Sequence, residues 1–82
     1  MIAEADKKYL SVGYKQTMKA ISEDEAKTVY IACDSEEKMY NSVNNLAKEK
    51  NLEIFYADTM RELGKMCFID KGASCAVIKK HS

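Results

Sequence analysis

Lys27-Thr28-Val29-Tyr30-Ile31-Ala32-Cys33 is the stretch on which the fold turns. Its β-branched and apolar run predicts a buried strand over residues 27–33. Asp34 follows as the expected N-cap of a helix, and Glu37, three residues on, completes a capping box in which each side chain meets an exposed amide. That helix is expected to run to about Lys50. Its apolar positions Met39, Tyr40, Val43, Leu46 and Ala47 recur at three- and four-residue steps, so one face, Leu46 included, should be buried on the sheet. Asn51 is placed to end it as a left-handed cap.

Working outward, residues 52–57 form a second strand. Thr59 and Glu62 make another capping box, opening a short helix to about Met66. A loop over 67–72 leads to a final buried strand over 73–78. Upstream, residues 2–9 read as a short helix and Ser11 and Val12 as the end of a strand. Gly13 then releases the chain into a helix over about 14–22, with Thr17, Ala20 and Ile21 toward the core. Helices and strands alternate four times. That order specifies an α/β fold, a three-layer α/β/α sandwich on a mixed four-stranded sheet.

A chain of 82 residues is expected to form one domain spanning 1–82, with room for a shallow binding surface rather than a deep catalytic cavity beside its core. Apolar residues make up 46%, which argues against disorder. Thirteen basic and thirteen acidic residues sum to zero net charge. That sum disfavours bulk attraction to nucleic acid, because counterion release rewards positive charge, but a local basic patch could still act. Proline is absent and only Gly13, Gly64 and Gly72 are glycines, so no linker or low-complexity segment is indicated. The first ten residues carry Glu4, Asp6, Lys7 and Lys8, unlike a signal peptide, and no apolar run approaches the roughly 20 residues of a membrane span. Cys33, Cys67 and Cys75 are odd in number with no close pair, which fits neither a disulfide framework nor a zinc knuckle. The expectation is a cytoplasmic protein with reduced thiols.

Candidate catalytic groups are few. His81, the sole histidine, lies beside the C-terminus, has no triad partner and reads as solvated. Cys33 ends a strand, where α/β folds place functional groups, but lacks a second cysteine in a redox spacing; all three cysteines read as small buried apolar residues. Asp34, Glu36 and Glu37 could suggest a metal site, although capping and the helix dipole account for them. No phosphate-cradling glycine motif occurs. Neither an enzymatic activity, a metal nor a cofactor is expected.

Two segments point to binding. In Val12–Lys19, VGYKQTMK, Gly13 starts a helix whose first amides are free and attract phosphate. Lys15, Gln16 and Lys19 follow with no acid among them. Lysine can donate to guanine O6 and N7, and a glutamine amide offers a donor and an acceptor to a base edge. The other reading of this segment is a solvated helix start. In residues 63–73, LGKMCFIDKGA, Lys65 and Lys71 flank Phe68 and Ile69, which are either core plugs or exposed contacts.

In their order and spacing, VGYKQTMKAI, TVYIACD and LGKMCFIDKGASCAVI resemble the kink-turn-binding ribosomal proteins of the L-seven-Ae and L-thirty-e group, closest to short bacterial members of this length. The similarity covers nearly the whole chain. It implies an L-thirty-e-like fold and recognition of a kink-turn, a sharply bent RNA duplex with tandem sheared G·A pairs beside a bulge. In the family a glycine-led helix start reads the guanines. Here that implies Gly13, Tyr14, Lys15 and Gln16, with Lys19 toward the RNA backbone. The loop before the last strand covers the bulge, which here implies Lys65, Phe68, Ile69, Asp70, Lys71 and Gly72. Two positions depart from the pattern: Phe68, where many members have glycine, and Lys71, where many have an apolar residue. The implied partner is structured RNA, whether ribosomal, riboswitch or another transcript, bound by a monomer, with no DNA or membrane. Two rivals remain, a protein–protein module of the same fold and a small redox module using Cys33.

Overall fold

Strand β2, Ala26–Ala32, sends Val29 and Ile31 to one side of the sheet and Tyr30 and Ala32 to the other, and all four are buried. This double burial is why the run lacks a polar alternation. The computed structural model describes residues 2–80; His81 lies outside them. Strand β2 pairs in parallel with β3, Glu53–Ala57, and antiparallel with β4, Cys75–Lys79. The far side of β4 pairs antiparallel with β1, Leu10–Val12, giving the order β1-β4-β2-β3. Strand β4 is divided like β2, with Cys75 and Val77 on one face and Ala76 and Ile78 on the other.

Helices α1, Tyr14–Ser22, and α2, Glu37–Glu49, cover the first face through Ala20, Ile21, Val43 and Ala47. Helix α3, Met60–Met66, covers the second through Leu63, together with Ile2 and the flank of a 3₁₀ helix, Glu4–Tyr9. The result is the three-layer sandwich on a mixed four-stranded sheet. Asn51 has φ +58°, the left-handed conformation expected after α2. The Thr59 hydroxyl accepts from the Glu62 amide at 3.0 Å, capping α3.

Three local expectations are corrected. First, Asp34 does not cap α2. The helix starts at Glu37, its N-cap residue Glu36 makes no side-chain capping bond, and a turn closed by Ser35 Oγ donating to the Ala32 carbonyl at 2.7 Å precedes it. Asp34 Oδ1 instead accepts from the Met60 amide at 2.7 Å. Strands β2 and β3 run in parallel, so their C-terminal ends lie side by side and Asp34 meets an unpaired amide of α3 rather than of its own helix. Second, Leu46 is only half-buried. Val43 and Ala47, one turn apart, point into the core, while Leu46 and Tyr40 flank that stripe. Third, Cys33 is exposed, because β2 ends at Ala32 and Cys33 is the first residue past the covered sheet.

Candidate functional site

Gly13 has φ +118° and ψ 159°, a conformation that L side chains avoid. It turns the chain from β1 into α1 within one residue. Its amide donates to the Cys75 carbonyl at 2.9 Å and its carbonyl accepts from the Thr17 amide at 3.0 Å. A Cβ at this position would meet Gln16 Oε1 at 3.0 Å, so the glutamine lies folded close over the turn. Among the described residues no side chain caps α1, and no acid occupies its first turn. The outcome is an uncompensated positive helix end with Lys15 and Gln16 exposed on it. Tyr14 is half-buried and packs against the core beneath.

The second segment is shaped by α3. A Cβ at Gly64 would collide with the Lys71 carbonyl oxygen, so only glycine lets residues 71–72 lie directly on the helix. This explains the glycine of the LGK motif. Past the helix end, the Phe68 amide donates to the Lys65 carbonyl and the Ile69 amide to the Gly64 carbonyl, each at 3.1 Å. With Phe68 at φ +64°, this is a Schellman closure. A left-handed φ favours glycine, so Phe68 stands there at a conformational cost. Ile69 is half-buried against the core, whereas Phe68 is 48% exposed with the Lys7 ammonium 4.6 Å from its ring centroid. Lys65, Asp70, Lys71 and Gly72 are exposed, and the Ala73 amide donates to the Met60 carbonyl at 3.0 Å, pinning the loop's exit to α3.

These segments meet at one end of the sheet. Because β1 and β4 are antiparallel, the end of β1, where α1 begins, is also where the loop enters β4. The Gly13–Cys75 bond joins them, and the Ala32 amide, donating to the Ser74 carbonyl at 2.9 Å, fixes the same corner to β2. The helix start and the loop exit therefore form one rim. Phe68 lies further round it, beside the 3₁₀ helix. Lys19 lies one turn along α1, in a depression of about 220 Å³ shared with Lys15, Gln16, Ala20, Glu25 and Lys79. Lys79 was not legible as a site residue: it lies at the far end of β4, and only the strand pairing brings it under α1.

The buried thiols are unsuited to chemistry. Burial pushes Cys67 up to about 11, and it also raises Cys75, partly offset by the Thr17 and Ser74 hydroxyls. Both stay protonated near neutrality and so lack the reactive thiolate. Among the described residues, no three His, Cys, Asp or Glu side chains are grouped to hold a metal. No described helix is long and apolar enough to cross a membrane.

A profile of the ribosomal protein L7Ae/L30e/S12e/Gadd45 family matches residues 2–82, and the chain belongs to that family. It is 44% identical over 71 residues to an RNA-binding protein of Halalkalibacterium halodurans, covering 87% of each chain. It is 48% identical over 65 residues to an RNA-binding protein of Caldanaerobacter subterraneus, covering 79% of each. Among solved structures, the fold is similar to the Giardia lamblia 15.5kD RNA binding protein, with a TM-score of 0.81 at 20% identity, over 92% of this chain and 63% of that one.

Proposed function

We propose that this chain is a non-catalytic, cytoplasmic RNA-binding protein that recognises the kink-turn. The observation that carries the reading is the single rim made by the start of α1 and the loop entering β4, joined through the Gly13–Cys75 hydrogen bond. A positive helix end bearing Lys15 and Gln16 suits the guanine edges of sheared G·A pairs where the bend opens the major groove. The loop over 68–72, held on α3 by Gly64, adjoins the same rim, which supports a role for it in covering the bulge beside those pairs. The bacterial relatives named as RNA-binding proteins support the RNA partner.

The mechanism is shape capture. Backbone amides and lysines meet the crowded phosphates of the bend, and Lys15 and Gln16 read the bases. A bent RNA is one state of an ensemble, and a protein that contacts only that state raises its population. One monomer presents the whole surface. Lys7 over Phe68 gives the loop a cationic flank that could meet the strand beside the bulge.

Gln16→Ala and Lys15→Ala test the base contacts. A lost base-edge contact costs about 1–3 kcal/mol and relaxes discrimination. Each variant, shown folded by circular dichroism, should lose affinity for an RNA with intact G·A pairs and lose little for one whose pairs are disrupted. Full affinity and full discrimination in both variants would remove the helix start as the reader and favour the protein–protein alternative.

A further inference from the structure

The depression beside α1 does not stop at Lys79. A second one, lined by Tyr9, Asp24, Glu25, Lys79 and Lys80, shares Glu25 and Lys79 with the first, so the two run into one groove. The groove starts at Lys15 on the rim and descends past Lys19 to Lys79 and Lys80 at the opposite end of the sheet, where Lys79 is opposite Ala26 of β2. Lys15 and Lys19 are separated by about 6 Å of helix rise. Of strand β4, only its end at Lys79 lines the groove, with Lys80 just beyond it. Of the two acids in the groove, Asp24 is held by Lys50 at 3.0 Å, leaving four lysines against Glu25.

We propose that this groove is a second RNA contact surface, taking the sugar–phosphate backbone of one helical arm as it leaves the bend. The inference rests on the kink-turn reading above and adds to it Lys79 and Lys80. A shallow groove lined by lysines from a helix and a strand end offers point charges without the convergent donors that would fix a small anion, which suits a repeating polyanion. Its continuity with Lys15 and Gln16 fixes the direction: a strand whose guanines are read at the rim continues downward along α1. Recognition here is independent of sequence and sensitive to salt.

The test compares kink-turn RNAs in which each arm in turn is either long or trimmed to a few base pairs, measured by fluorescence anisotropy over a salt series. For the wild-type protein, trimming one particular arm should weaken binding and flatten the salt dependence. The folded double variant Lys79→Ala/Lys80→Ala should lose roughly 0.9 of log–log salt slope per lysine on the long-arm RNA. It should be indifferent to trimming, and should still discriminate intact from disrupted G·A pairs. Glu25→Gln should move the other way, binding the long-arm RNA several-fold more tightly. An unchanged slope in the double variant would overturn the inference and leave the kink-turn reading standing. An equal loss on long- and short-arm RNAs would place the contact at the bend and also overturn it. A wild-type protein blind to the G·A pairs would overturn both.

Discussion

At the scale of the residue, Thr17 shows how tightly the site is tied to the core. It lies one turn into α1, fully buried, and among the described residues its hydroxyl has no hydrogen-bond partner, although it lies near enough to the Cys75 thiol to lower that group's pKa. A buried hydroxyl without a partner costs about 1–3 kcal/mol. Thr17→Val keeps the shape and removes that cost, so it should raise the free energy of unfolding by about 1 kcal/mol in a urea titration, with RNA affinity unchanged. A loss of stability would mean that the hydroxyl is satisfied. Thr17 was legible as a core position from its helical spacing, but its lack of a partner was not, since that depends on what β4 places opposite it. Asp34 makes the same point. Its place after a strand suggested an N-cap, and the amide it meets, at Met60, comes from an element adjacent only through β-pairing.

At the scale of the element, the end of α3 sets a stability cost against a surface contact. Phe68 occupies the left-handed position of a Schellman closure, where a side chain costs about 1–2 kcal/mol relative to glycine. The exposed contact of its ring with Lys7 returns about 0.5–1 kcal/mol. Phe68→Gly should therefore be neutral to slightly stabilising. Phe68→Ala, which keeps the backbone strain and loses the ring, should be less stable than Phe68→Gly by about 1 kcal/mol, as measured by chemical denaturation. If the alanine variant matches the glycine variant, the backbone there is not strained. The long elements were legible, α1 and α2 from their helical hydrophobic spacing and β2 from its unbroken apolar run, because both patterns report burial directly. The loop was legible only in part: the sequence left Phe68 and Ile69 open between core plug and surface contact, and one turns out to be each.

At the scale of the whole molecule, zero net charge conceals an uneven distribution. Lys15, Lys19, Lys79 and Lys80 gather along one groove, with Lys7 beside the loop, while Asp34 is engaged in tying α3 to the sheet end. A sum over the sequence cannot see this, because the field at a surface depends on where the strands bring charges together. The helix start was legible because its residues are contiguous; the groove was not, because its two halves are at opposite ends of the chain. The central claim is that the rim captures one RNA shape. It is tested most directly by fluorescence energy transfer between the arm ends of a doubly labelled RNA, titrated with the protein in a buffer where the free RNA is mostly extended. The account predicts a rise in transfer to a bent plateau for RNA with intact G·A pairs and no rise when those pairs are replaced by Watson–Crick pairs. Binding to both RNAs with no change in transfer would contradict it.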